Sequence, residues 1–269
     1  MLKDISFGQY YPTGSIIHMI DPRMKLVLLI AYIVFVFLTF NAFSLTLMTV
    51  FTFFVLFSSK IPLKIYLKNL KIILPIIIFT SILNALYITE GTELVSFGFI
   101  HIYDGGIYRA IFMSVRILVL ILISSVLSYT ATPTELTDAI ESLLSPLKHI
   151  GLGGAVHSMA MMMTIALRFI PTLIEETDKI MSSQKARGAS LESGGLLKRI
   201  KALLPILIPL LISSIRRAYE LAEAMESRCY NGGKGRVRMK QLHLATRDYV
   251  TAAIVILLFT AVILLNIFM

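Results

Sequence analysis

The apolar positions of this chain come in long unbroken runs, not in the stripe that a soluble helix shows. The first run, Leu26 to Phe57, is 32 residues long, well beyond the roughly 20 that one helix needs to cross a bilayer. Basic residues flank it on both sides, Arg23 and Lys25 before it and Lys60, Lys64, Lys68 and Lys71 after it. Lys and Arg accumulate on the cytoplasmic side of membrane proteins, so both ends belong to one side. The run therefore reads as a tight hairpin turning near Asn41 to Ser44, with two short arms. A third span is expected over Ile72 to Ile88, where Pro75 is tolerable in a membrane helix. The loop Thr89 to Ile107 carries Glu90, Glu93 and Asp104 but no Lys or Arg and should face outward. A fourth span, Ile107 to Tyr129, returns inward, and a last one, Tyr249 to Phe268, leaves again.

These elements predict an all-α integral membrane protein with about five transmembrane helices, its N terminus cytoplasmic and its C terminus outside. Residues 1–129 would form the N-terminal spans, 130–248 a module of long helices in the cytoplasm and at the membrane interface, and 249–269 the C-terminal span. Charge placement supports the orientation. Of the 25 Lys and Arg residues, 3 precede the first span, 4 follow the second and 16 lie between Thr130 and Asp248. Only Arg109 and Arg116 fall within a span, the fourth, and none falls in an expected external loop.

Composition agrees with the runs: 57% of residues are hydrophobic and 15% charged, and the mean hydropathy is +0.81. The net charge of +9 is of the size that cytoplasmic loops and lipid-facing collars carry. No nucleic-acid motif accompanies it. A single Cys229 excludes an internal disulfide, and no CxxC or His-rich spacing points to a metal or redox cofactor. No cleavable signal peptide is expected, since Asp4, Asp21 and Pro22 interrupt the first residues.

Residues 130–248 hold the remaining signals. Thr132-Pro133-Thr134-Glu135 reads as a capping box with Pro at the first helical position. Leu136, Ile140, Leu143, Leu144 and Leu147 then form one stripe, ended by Gly151, Gly153 and Gly154. The apolar stretch 155–170 contains Met159, Met161, Met162 and Met163, which suit adaptable packing better than metal ligation. Both it and the apolar 202–215 are short for a span, and crossing or lying at the interface remain open. Two long helices are expected to begin at membrane depth and project their ends into the cytoplasm.

Each of these helices ends in an arginine. Glu175, Glu176 and Asp178 load the early turns of the first, and Lys185 and Arg187 the last, as the helix dipole favours. Gly188 suits a left-handed stop. The second runs from Leu196 through Pro205 and Pro209 to Arg228, with Gly232-Gly233 expected to terminate it. A single arginine there is an ordinary C-terminal cation. The repeat, Ala186-Arg187-Gly188 and Ser227-Arg228-Cys229, points to an acidic partner, since a forked arginine–carboxylate pair is strong and directional.

Several segments together resemble a known family. Ala166-Leu167-Arg168-Phe169-Ile170-Pro171, the following Glu175 and Gln184-Lys185-Ala186-Arg187-Gly188 are similar to the signature of the transmembrane T component of energy-coupling factor (ECF) transporters, the EcfT family with its CbiQ-like cobalt-uptake relatives. Gly8-Gln9-Tyr10 and Asp21-Pro22-Arg23-Met24-Lys25-Leu26 resemble its N-terminal lead-in. Thr132-Pro133-Thr134-Glu135-Leu136 with Leu144-Ser145-Pro146-Leu147 resembles its first cytoplasmic helix. The resemblance implies a non-catalytic scaffold in a bacterial-type cell membrane that joins two ABC-type ATPase subunits to a separate substrate-binding S component. Its coupling helices would dock through X-Arg-X motifs, here Ala186-Arg187-Gly188 and Ser227-Arg228-Cys229, the second departing from Ala-Arg-Gly at both flanks. The cargo would be a vitamin or a cobalt or nickel ion.

ATP hydrolysis by the chain itself is not expected, because no GxxxxGK[ST] loop is present and Glu192-Ser193-Gly194-Gly195 reads as a connector. The alternative is a self-contained carrier binding an anion through Arg109 and Arg116. It predicts an internal repeat, and none is visible. A purely structural anchor is the third reading.

Overall fold

A computed structural model describes residues 10–97, 100–151, 153–188, 195–232 and 243–268. The helices are α1 (Pro22–Phe37), α2 (Ala42–Ser58), α3 (Leu63–Tyr87), α4 (Asp104–Thr130), α5 (Pro133–Leu143), α6 (Gly153–Ala186), α7 (Leu196–Ser227) and α8 (Thr246–Phe268). The chain divides into two compact units, one of Gly8–Leu136 with Gln241–Met269, the other of Met1–Phe7 with Thr137–Lys240.

In the first unit the long apolar run is the expected hairpin, α1 and α2 joined through residues 38–41. Each arm has 16 or 17 residues, about 24 to 26 Å of helix, shorter than the roughly 30 Å hydrocarbon layer. The carbonyls at the end of α1 and in the turn lack intrahelical donors. Two other helices supply the donors: Asn266 Nδ2 of α8 donates to the Leu38 carbonyl at 2.9 Å, and an Arg116 Nη of α4 donates to the Thr39 carbonyl. Asn266 also accepts from Ser44 Oγ at 2.9 Å.

Around that turn packs a core of Tyr32, Val36, Met48, Val119, Ile123, Val255, Phe259 and Val262, drawn from α1, α2, α4 and α8. The buried Tyr32 hydroxyl bonds to the Met48 carbonyl and to Thr52 Oγ1, each at 2.7 Å, so its polar atom is satisfied within the apolar interior. A second cluster, Leu56, Ile61, Tyr66, Leu122, Val126 and Tyr129, ties the start of α3 to the end of α4.

Helix α3 begins nine residues before the expected Ile72. Lys64, Lys68 and Lys71 do not stop it, because lysine is a good helix former whose long stem lets the ammonium reach water. The loop between α3 and α4 holds an element that the hydrophobic pattern did not foretell. Strands β1 (Glu93–Phe97) and β2 (Ile100–Tyr103) pair antiparallel, with Glu93 opposite Tyr103 and Phe97 opposite Ile100. The hairpin leads into α4 where Gly105 abuts the Glu90 carbonyl. A Cβ at Gly105 would lie 2.4 Å from that oxygen, so only glycine fits.

The capping box at Thr132 forms as read. Glu135 N–H donates to Thr132 Oγ1 at 3.2 Å and Thr132 N–H donates to Glu135 Oε2 at 3.1 Å. In the second unit the expected leucine stripe is cut short, since α5 stops at Leu143 and a 3-10 turn, Ser145–Ile150, follows. Pro146 favours the change: it has no N–H for the Ser142 carbonyl, and it disfavours α geometry at Ser145, which opens the 3-10 turn instead. Gly153 and Gly154 open α6 instead of ending the earlier helix. Pro171 lies inside α6, which runs 34 residues without a break.

Candidate functional site

Helices α6 and α7 of the second unit run antiparallel. Gln184 Nε2 donates to the Pro205 carbonyl at 3.5 Å, and eight residues back along α6 Glu176 accepts from Ser213 Oγ at 2.9 Å, eight residues forward along α7. The Arg217 guanidinium closes on the other Glu176 oxygen. The Gln184 bond has a backbone cause. Pro209 has no N–H to offer the Pro205 carbonyl four residues earlier, so that acceptor is free for a side chain of the neighbouring helix.

This register sets the two arginine ends apart. Counting about 1.5 Å per residue outward from the Glu176 contact, to Arg187 along α6 and to Arg228 along α7, separates the two arginines by on the order of 35 Å along the pair. They lie at opposite ends of one antiparallel pair.

The two ends share one local design. Arg187 follows the last helical residue Ala186, its N–H bonds to the Ser183 carbonyl, and Gly188 N–H bonds to the Lys185 carbonyl at 3.0 Å with Gly188 at φ +86°. Arg228 follows Ser227 in the same way. Cys229 N–H bonds to the Glu226 carbonyl at 2.8 Å and Tyr230 N–H to the Met225 carbonyl at 3.0 Å, which is the Schellman pattern. Cys229 sits at φ +56°, so the residue that departs from glycine in sequence keeps the left-handed backbone of its counterpart. Gly232 lies beyond this stop, which Cys229 rather than the glycines makes, and Gly233 lies outside the described residues. Both arginines are exposed, as are Ala186, Gly188, Ser227 and Cys229. Among the described residues neither arginine has an ion-pair partner.

A left-handed non-glycine residue is held at a cost of roughly 1 to 2 kcal/mol. Cys229→Gly is therefore expected to stabilise the end of α7 by about 1 kcal/mol, seen as slower hydrogen exchange at the Tyr230 amide. Faster exchange would show that the cysteine side chain holds the turn.

The residues of the carrier alternative are each engaged elsewhere. Arg109 pairs with Glu90 of the loop before α4 at 2.9 Å, both exposed. Arg116 bonds to the Thr39 carbonyl with its carbon 4.8 Å over the Phe112 ring, and its Nε alone is unpartnered. Among the described residues no group of three or more His, Cys, Asp or Glu side chains forms a metal-holding cluster. Gly8, Gln9 and Glu192 to Gly194 of the sequence motifs lie outside the described residues.

Two polar nodes escaped the sequence reading. One is Glu176 with Ser213 and Arg217, whose charges look like ordinary dipole complements until the antiparallel register faces them. The other is Asp248, 2% exposed, whose Oδ1 accepts from Asp21 N–H at 2.8 Å and Oδ2 from Ala245 N–H at 2.7 Å. It joins the start of α8 to the start of α1, where Asp21 itself accepts from Arg23 N–H. Nearby, Lys25 Nζ donates to the Thr130 carbonyl at 2.9 Å, closing the end of α4 onto the same node. A carboxylate three residues into an apolar helix was the available signal.

Helices α3, α4, α6 and α8 are each long and apolar enough to cross a membrane. With three or more such helices the chain is a multi-pass membrane protein. The family model described as CbiQ, cobalt transport protein, matches residues 13–239. The chain is 49% identical over 266 residues to an energy-coupling factor transporter transmembrane protein EcfT of Ruminiclostridium cellulolyticum, covering 99% of this chain and 98% of the relative. It is 43% identical over 264 residues to the EcfT of Bacillus subtilis, covering 98% of each. The chain belongs to the EcfT family of ECF transporter transmembrane components.

Proposed function

We propose that this chain is the non-catalytic coupling subunit of an ECF transporter, passing the motion of two cytoplasmic ATPase subunits to a separate substrate-binding membrane subunit that takes up a vitamin or a transition-metal ion. The observation that carries this reading is the pair of like-built arginine caps at opposite ends of α6 and α7. Two matching caps on the order of 35 Å apart suit two like subunits side by side, one groove for each arginine. Ala186-Arg187-Gly188 and Ser227-Arg228-Cys229 are the docking segments.

For both caps to face the cytoplasm, α6 and α7 must lie along the membrane surface, because a pair of that length set upright would carry one arginine through the roughly 30 Å hydrocarbon layer. Between the caps α7 exposes Leu204, Leu207, Ile208, Leu211 and Ile215 on one stripe, an apolar rail on which a membrane subunit can ride. The N terminus is placed in the cytoplasm and the C terminus outside.

The test is reconstitution in vesicles. Uptake is expected only when this chain, two ATPase subunits and a substrate-binding subunit are all present with ATP. Uptake by this chain alone, abolished by Arg109→Gln or Arg116→Gln, would establish the carrier reading in its place.

A further inference from the structure

We infer that a cleft between α1, α2, α4 and α8 holds an acyl chain of an anionic phospholipid, with Arg247 on the phosphate. The cleft lies wholly within the first compact unit and encloses about 510 Å³, inside the ~300–1,000 Å³ typical of ligand clefts. Its interior is hydrocarbon-like, with Leu28, Tyr32, Phe51, Ile123, Ile254 and Val255 on the walls. Polar groups gather only at the end where α1 and α8 begin and α4 stops, namely Lys25, Thr130, Thr246, Arg247 and Thr251, with Ser58 from the end of α2. Val250 and Ile254 are 54% and 45% exposed, so a chain can enter sideways.

The charge on the wall has one sign. Lys25 and Arg247 line the cleft and no carboxylate does. The adjacent acids accept from backbone amides, Asp248 from Asp21 and Ala245, Asp21 from Arg23, and Glu135, whose charge also reaches Lys25, from Thr132. Arg247 is exposed and rests against the Met19 sulfur, a weak acceptor that leaves most of its five donors open. A guanidinium fork matches a phosphate, and basic pockets between membrane helices favour anionic headgroups. Seven residues of α8 separate Arg247 from Ile254, about 10 Å, which sets the phosphate at one end and methylenes at the other.

The chain contains no tryptophan, so Ile254→Trp installs a single reporter inside the cleft. In phosphatidylcholine vesicles, phosphatidylglycerol with brominated acyl chains at low mole fraction should quench this tryptophan about fivefold more effectively per mole than brominated phosphatidylcholine, the ratio one arginine against an anionic lipid supplies. Arg247→Gln in the same background should erase the preference. Ile76→Trp on the exposed side of α3 should be quenched equally by both lipids. Equal quenching at position 254, or a preference that survives Arg247→Gln, would overturn the inference. Should the reporter variant fail to fold, native mass spectrometry of the unmodified chain and of Arg247→Gln reads the same preference as retained lipid, with equal retention of the two lipids by the unmodified chain counting against the site.

Discussion

Arg187→Glu and Arg228→Glu together are expected to abolish co-purification of the ATPase subunits and ATP-dependent uptake while the chain remains folded. Both guanidiniums are exposed and without an ion-pair partner among the described residues, so their replacement removes no contact within the chain. A carboxylate at a helix C terminus opposes the dipole by only about 0.3 to 1 kcal/mol. Removing one side of a buried charged pair at a docking interface costs about 2 to 5 kcal/mol, or about thirtyfold to several thousandfold in affinity per site. Loss of assembly thus exceeds any loss of fold by a margin that a melting curve can verify. Arg187→Lys discriminates further, since lysine keeps the charge but not the planar fork. It should weaken docking less than the glutamate does. The single variants should weaken assembly to similar extents, because Gly188 and Cys229 give both caps the same backbone. If the double variant still assembled and transported, the coupling reading would be lost.

Much of this architecture was legible in the chain because the bilayer restricts what a long apolar run can be. The α1–α2 hairpin followed from a run too long for one helix and basic at both ends, and its turn falls within a few residues of the expected Asn41. The capping box at Thr132 followed from four adjacent residues whose bonds are local. The features that were not legible depend on register between distant segments. Nothing in the spacing of Glu176 reveals that it faces Arg217, or that α6 and α7 run antiparallel with their arginine ends far apart. The β1–β2 hairpin escaped because its strands are short and lie in a loop judged by its charge alone. The stripe through Leu147 was overextended because leucine periodicity outweighed the single Pro146 that stops the helix.

The docking segments themselves show the same division. Arginine at a helix end is visible in sequence, and so is a glycine after it. That Cys229 takes the left-handed conformation of Gly188 is not, since cysteine has no preference for it. The surrounding bonds at Glu226 and Met225 impose the conformation, so the apparent departure of the second motif from the first lies in the side chains and not in the backbone they decorate.

Asp248→Ala is expected to destabilise the first unit by about 3 kcal/mol, the largest loss of stability from any single change considered. The carboxylate accepts from the N–H groups of Asp21 and Ala245; with it gone the Asp21 donor stays buried without a partner, at a cost of about 1 to 3 kcal/mol, and the part-buried Ala245 donor loses its partner as well. Lys25 also loses a nearby anion, since Asp248 contributes to the field at its ammonium, and a buried charge that loses compensation weakens a fold further. Asp248→Asn keeps one acceptor and should recover roughly half of the loss. Both variants are measured by thermal or denaturant unfolding of the purified chain in nanodiscs. The failure should begin locally, with faster hydrogen exchange at Asp21 and Ala245 before the core around Val36 and Val262 opens, because the core packs deeper along the same helices. An Asp248→Ala protein as stable as the parent would mean that water reaches those two amides and that the starts of α1 and α8 are held by apolar packing alone.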